Sequence, residues 1–233
     1  MDKYKAVIFD MDGTLLDTLT DLRASLNYAL KACGYPERTL EEVRAFIGDG
    51  VAELIVRAMP DELKSGIEED EDKKQAFISA CAEVGDEFRK YYIDHGEDNT
   101  RPYAGIMSLL GALKKRGIKT AVVSNKVQEA VERLNERLFA GLIDAAVGDG
   151  MGRKLKPAPD MLLEAMSRLG IGKDEAVFVG DGDADIHAAK NAGLPCISVC
   201  YGYRTQEFLK EHGGEVFAHD VRELASLLDI NLE

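Results

Sequence analysis

A chain of 233 residues that is 45% hydrophobic carries enough apolar surface for one sizeable core, or for a core domain bearing a smaller one. No run approaches the ~20 apolar residues of a membrane span, and the early run Ala6-Val7-Ile8-Phe9 is broken too soon by Asp10 for a signal peptide; a cytoplasmic protein with no membrane partner is expected. A formal charge of -13 argues against a nucleic-acid partner, which requires a basic face.

The first predicted element is an apolar strand over residues 5–9, ending at Asp10-Met11-Asp12-Gly13-Thr14. Residues 19–99 then contain no convincing strand. Leu22, Leu26, Ala29 and Leu30 mark one helical face, Leu40, Val43 and Ile47 another, and Leu54, Ile55 and Ala58 a third. Phe77, Ile78, Cys81, Val84, Phe88 and Tyr91 form a long amphipathic stripe, whereas the charge-dense stretch 61–74 reads as a solvated connection or a frayed helix. Gly48-Asp49-Gly50 interrupts two of these patterns and is expected to form a tight loop.

After this all-helical insert, short β-branched runs alternate with helical patterns. Strands are predicted over 119–123, 176–179, 196–199 and 215–217, with a weaker candidate over 144–147. Helices are predicted over 106–115, 127–138, 159–169, 184–191 and 221–228, with Gly117, Gly170 and Gly193 at C-cap positions. Continuous hydrophobic strands separated by helices imply a parallel sheet buried on both faces. The fold class is therefore a doubly wound α/β core over residues 1–18 and 100–233, interrupted after its first strand by a helical domain over 19–99. The cysteines Cys33, Cys81, Cys196 and Cys200 form no CxxC pair and read as free thiols.

Polar clusters stand at the carboxyl ends of four predicted strands or just beyond, where open α/β sheets bind ligands. Asp10 ends the first strand and, with an unperturbed pKa of ~3.9, is a ready nucleophile at neutral pH. Its obstacle is repulsion: a carboxylate ~4 Å from a phosphate charge costs about 4 kcal/mol at an effective dielectric of ~20. In so acidic a chain, a metal, a lysine or backbone amides must offset that charge. Asp181, Asp183 and Asp185 offer oxygen ligands for a hard cation, and Lys156 precedes a proline-stiffened helix start. Ser124 and Asn125 can hold phosphoryl oxygens. The stretch 181–185 imitates a calcium loop, but Ile186 and Ala192 stand where Gly and Glu are needed. It imitates a dinucleotide fingerprint too, but Asp185 replaces the last glycine and would repel a pyrophosphate.

These residues resemble the haloacid dehalogenase (HAD) superfamily over essentially the whole chain. Asp10-Met11-Asp12-Gly13-Thr14-Leu15, Ser124, Lys156-Pro157 and Gly180-Asp181 with Asp185 match its four motifs in order. The resemblance implies a Mg2+-dependent phosphomonoester hydrolase with a Rossmann-type core and a helical cap. It implies that Asp10 is phosphorylated, that Asp12 is the acid/base partner, and that Lys156 steadies the charge. Mg2+ would be held by Asp10, the Asp12 carbonyl and Asp181, with Asp185 in or just behind that set. Ser124 and Asn125 would bind substrate, and the loop at Gly48 and Gly50 would approach a small one through its backbone amides. Within the superfamily the chain is most similar to the phosphoglycolate phosphatases, through Leu16-Asp17-Thr18, Asp21-Leu22, Ile47-Gly48-Asp49-Gly50, Arg101-Pro102-Tyr103-Ala104-Gly105 and Ser124-Asn125-Lys126. The expected partner is thus a small phosphorylated metabolite, with 2-phosphoglycolate foremost. Alternatives are pyrophosphate, a nucleotide, a sugar phosphate, or a β-phosphoglucomutase-like transfer, although the histidine such mutases carry soon after the first motif is missing before His95. A dehalogenase would have no use for Asp12, and a receiver domain would be about half this length and uncapped. One departure from the pattern is Gly182, where many relatives carry a hydroxyl.

Overall fold

The computed structural model describes residues 3–139, 141–150 and 152–232. The chain divides into two units, one formed by residues up to Asp17 and from Arg101 onward, the other by Thr18–Thr100. In chain order the strands are β1 (Ala6–Phe9), β2 (Leu16–Asp17), β3 (Arg101–Pro102), β4 (Lys119–Val127), β5 (Ala145–Asp149), β6 (Ala176–Gly180), β7 (Cys196–Val199) and β8 (Phe217–Ala218). The helices of the discontinuous unit are numbered after the five of the other: α6 (Ile106–Lys115), α7 (Gln128–Phe139), α8 (Asp160–Leu169), α9 (Asp183–Ala192), α10 (Gln206–Glu211) and α11 (Val221–Leu227).

The discontinuous unit is built on a parallel six-stranded sheet in the order β5-β4-β1-β6-β7-β8. In β1, Val7 and Phe9 enter one apolar cluster and Ala6 and Ile8 the other. That is the period of two a strand imposes, and burial of both faces explains why the run reads as continuously hydrophobic. Leu109, Leu113, Val131, Leu134 and Leu224 from α6, α7 and α11 fill the first cluster. Met161, Leu162, Ala165, Ala188 and Ala189 from α8 and α9 fill the second. Each large buried side chain contributes roughly 1.5–3 kcal/mol. Gly170 and Gly193 close α8 and α9 in the left-handed conformation.

Register decides where the polar clusters emerge. Phe9 pairs with Val122 on one side and Val179 on the other, so the end of β1 lies level with the end of β6 and with the point where β4 reaches Ser124. β1 also has its sequence successors in the main sheet on opposite sides, which makes it the point where the winding reverses. β4 is longer than the predicted 119–123 strand and runs on through Ser124, Asn125 and Lys126 to Val127. Its pairing with β5 shifts register between Val123 and Val127, an irregularity that re-aims the side chains it spans. The two-residue β2–β3 pair, the 3-10 turn Lys173–Glu175 and the short α10 are too brief to leave a periodic signal.

The second unit is all-helical, with α1 (Leu19–Ala32), α2 (Leu40–Phe46), α3 (Val51–Ala58), α4 (Asp61–Lys64) and α5 (Glu71–His95). Leu22, Leu26 and Leu30 of α1 and Phe77, Val84 and Phe88 of α5 are buried. The charged stretch 61–74 is part helix, as one of its two expected forms, with Asp70 capping α5 by accepting from the amides of Asp72 and Lys73. Glu71 and Asp72 then sit where the helix dipole favours negative charge. Thr39 and Glu42 form a capping box at the start of α2. Asp21, 1% exposed, accepts from the backbone amides of Asn99 and Thr100, the Asn99 side-chain amide and the Thr100 hydroxyl. One carboxylate thereby ties α1 to the chain beyond α5. Among the described residues no helix is long and apolar enough to cross a membrane.

Candidate active site

Asp10 follows β1 directly, its amide donating to the Val179 carbonyl of β6 (2.8 Å). The short loop after β6 brings Asp181 alongside, and the first turn of α9 supplies Asp185. Oxygens from these three buried carboxylates lie within 4.8 Å of one another. Lys156, 4% exposed, sits among them; its Nζ donates to Asp10 Oδ1 (2.5 Å), Asp185 Oδ1 (2.7 Å) and the Val123 carbonyl (3.2 Å). The peptide bond from Lys156 to Pro157 is cis.

Backbone and hydroxyl donors fix the remaining oxygens. Asp185 Oδ2 accepts from the amides of Asp181 (3.1 Å) and Gly182 (3.0 Å), and Asp181 Oδ2 accepts from the Tyr203 amide (2.7 Å). The Thr14 hydroxyl lies 3.4 Å from Asp10 Oδ2 and 3.3 Å from Asp181 Oδ1, bridging the two. Gly13 has φ +90, and a Cβ there would overlap the Asp181 carboxylate. Only glycine meets both demands, which gives the Gly of Asp-x-Asp-Gly its physical reason.

Asp12 faces elsewhere. Its Oδ2 is 3.5 Å from the Ser124 hydroxyl, and its Oδ1 lies 3.2 Å from Lys126 Nζ. That second approach is an ion pair without hydrogen-bond alignment, so Oδ1 has no hydrogen-bond donor among the described residues. Asn125 uses its side-chain amide to clamp the backbone of Lys156, donating to the Lys156 carbonyl (3.0 Å) and accepting from the Lys156 amide (2.8 Å). Gly48 and Gly50 belong to the helical unit, between α2 and α3, both with positive φ (136 and 86). Asp49 between them is held by Arg57 (2.5 Å).

Three carboxylates share one ammonium in a desolvated pocket. Burial, then the neighbouring Asp185 charge, raises Asp181 to about 7. Burial also pushes Asp10 well above the usual carboxylate range, against the pull of Lys156. Lys156 remains a firm cation: burial lowers it, but Asp10 and Asp185 together outweigh burial. The excess negative charge and the hard oxygen donors fit a divalent cation of the Mg2+ type.

Residues 7–199 match the family described as haloacid dehalogenase-like hydrolase. The chain belongs to that family. It is 34% identical to the phosphoglycolate phosphatase of Pseudomonas syringae pv. tomato, over 98% of this chain and 82% of that one. It is also 34% identical to the N-acetylmuramic acid 6-phosphate phosphatase of Pseudomonas aeruginosa, over 97% and 96%. The crystal structure of a provisionally assigned phosphoglycolate phosphatase from Lactobacillus delbrueckii subsp. bulgaricus superposes with a TM-score of 0.88 at 38% identity, covering 97% of this chain and 98% of that one. The parallel core with a separate helical unit is thus the fold of this hydrolase family.

Thr14, Tyr203 and the Asp12 contact of Lys126 had no assigned part in the sequence reading. Thr14 and Lys126 stood inside quoted motifs, so the stretches were visible while their contacts were not. Tyr203 acts through its backbone amide, which no residue type announces.

Proposed function

We propose that this hydrolase cleaves small phosphomonoesters through a covalent phosphate on Asp10, with 2-phosphoglycolate as the leading substrate. The observation that carries the reading is the separation of two carboxyl groups: Asp10 inside the Lys156 cluster, Asp12 outside it on Ser124 and Lys126. One is placed to attack and the other to move a proton.

In the first step an Asp10 oxygen forms a bond to phosphorus while the bond from phosphorus to the ester oxygen breaks. Asp12 gives its proton to that departing oxygen. In the second step Asp12 takes a proton from water as the water oxygen attacks phosphorus and the bond from phosphorus to the Asp10 oxygen, that of an acyl phosphate, breaks. Inorganic phosphate leaves and Asp10 is restored. Lys156 holds one Asp10 oxygen and offers positive charge to the transferring group, and Asn125 fixes Lys156 through its backbone. Ser124, 2% exposed at the end of β4, is placed to hold a phosphoryl oxygen. The residues that would hold Mg2+ are Asp10, the Asp12 carbonyl and Asp181, with Asp185 orienting Lys156 and the loop after β6 from behind. When bound, that ion supplies charge neutralisation for an anion entering an acidic pocket.

The relatives named for 2-phosphoglycolate support the leading substrate. A sugar 6-phosphate is the second reading, favoured by equal identity to the N-acetylmuramic acid 6-phosphate enzyme along nearly its full length. Comparing kcat/KM over 2-phosphoglycolate, sugar 6-phosphates, nucleotides and pyrophosphate with Mg2+ present decides between them. A best substrate outside the small carboxylated esters would overturn the leading assignment. Absence of any phosphate release would overturn the reaction class.

A further inference from the structure

A lysine at 8% exposure needs a reason, since burying an ammonium is costly without a counter-charge. Lys126 and Lys156 are the two buried lysines among the described residues. Lys156 serves the Asp10 cluster. Lys126 stands beside Asp12 rather than in that cluster, where the register of β4 shifts. Its backbone amide donates to Ser124 Oγ (3.2 Å), and Ser124 in turn reaches Asp12 Oδ2, so the end of β4 addresses both Asp12 oxygens.

If Asp12 protonates the departing oxygen, that oxygen comes within hydrogen-bond reach of its carboxyl. Where Oδ1 gives the proton, the Lys126 ammonium is one further contact away (3.2 Å), within about 6 Å of the ester oxygen. A group two bonds beyond the ester oxygen falls within that span. We infer that Lys126 is a specificity-determining residue that receives a second anionic group on the leaving portion of the substrate. The inference rests on the phosphoester reading of the site and deepens it, naming the substrate class as phosphate esters whose alcohol carries a nearby carboxylate. A protein of charge -13 repels an ester with two anionic groups at long range, so fixed cations near both groups favour its retention. Lys156 stands at the phosphoryl end, Lys126 at the carboxylate end.

The test compares 2-phosphoglycolate with ethyl phosphate, which puts a methyl group where the carboxylate was. Purified full-length wild type, Lys126→Met and Lys126→Arg are assayed with Mg2+ for kcat and KM on both esters. The ratio of kcat/KM for the charged over the uncharged ester is expected to fall about tenfold or more in Lys126→Met, the loss typical of one charged hydrogen bond. Most of the fall should lie in KM for 2-phosphoglycolate, and Lys126→Arg should recover much of the ratio. Lys126→Gln gives the same comparison if the methionine variant does not fold. Equal losses on both esters would overturn the inference, since Lys126 would then only hold Asp12. An unchanged ratio would overturn it too. A wild-type enzyme with no preference for the charged ester would instead overturn the substrate class itself, and the inference with it.

Discussion

Asp181→Asn is expected to stabilise the metal-free protein while abolishing its stabilisation by Mg2+. In the metal-free protein Asp10, Asp181 and Asp185 share one ammonium, their oxygens within 4.8 Å. Two unit charges at that separation repel by about 3 kcal/mol at an effective dielectric of ~20. Linkage gives a similar figure. The folded Asp181 titrates at about 7, against ~3.9 unfolded, so its ionisation costs the native state up to about 4 kcal/mol. Because the folded value is the higher one, this cost is absent below pH ~4 and complete above pH ~7. Metal-free wild type should therefore lose stability as pH rises through that window, and Asp181→Asn should lose less. The amide keeps the size of the carboxyl, which matters beside Gly13 and Gly202, and its oxygen can still accept from the Tyr203 amide. Thermal melts in EDTA at neutral pH should place the variant at least about 4 °C above wild type. Mg2+ at about 100 times its dissociation constant should add ~2.7 kcal/mol to wild type and little to the variant. A variant less stable than wild type in EDTA, or one that responds to Mg2+ as fully as wild type, would refute the charge-excess account.

Asp10→Asn should fold normally and lose at least ~10⁴-fold in kcat, because the amide is a poor nucleophile; retention of a tenth of the wild-type rate would exclude a covalent phosphate on Asp10. Asp12→Asn should slow turnover by about 10²–10⁴-fold. In single-turnover formation of the phosphoenzyme, p-nitrophenyl phosphate should be rescued relative to an alkyl ester, and equal defects for the two would remove the acid role. Asp21→Ala should cost about 3 kcal/mol or more in urea denaturation, since several donors on Asn99 and Thr100 lose a buried charged acceptor; a loss below about 1 kcal/mol would mean those donors find other partners.

The parallel sheet was legible because its strands are buried on both faces. Val7, Phe9, Val177 and Val179 face one cluster and Ala6, Ile8, Ala176 and Phe178 the other, leaving apolar runs with no polar alternation to confuse. Helix ends were legible where glycine is the residue the backbone demands, as at Gly170 and Gly193. The continuation of β4 was not, because Ser124, Asn125 and Lys126 have turn chemistry and are strand only through pairing across the sheet. The charge-dense stretch 61–74 was open between a solvated connection and a frayed helix for a related reason, and it holds both, with short helix at Asp61–Lys64 and the start of α5 at Glu71. Charge density resembles a solvated loop, yet acidic residues are also what a helix N-terminus prefers. In the site, residue types pointed to carboxylates, hydroxyl and lysine together. They did not reveal that Asn125 spends its amide on Lys156, because a clamp between residues 125 and 156 exists only once β4 and the loop before α8 are side by side.

The disposition of the lysines shows how so acidic a chain can hold an anion. Surface pairs such as Lys90 with Glu87 or Arg168 with Glu164 are exposed, screened, and worth little. Lys156 and Lys126 are different, since each is enclosed and each is fixed by a strand end rather than by its own flexible stem. A cation in low dielectric acts over short range with several times its strength in water, and it pays no ordering entropy when the ligand arrives. On the proposed reading the overall charge governs what approaches the molecule, while the two enclosed ammonium groups govern what is retained. This division requires that Lys156 stay protonated in the folded protein. Lys156 meets the requirement through its two carboxylate partners, and their charge excess in turn makes room for a divalent cation.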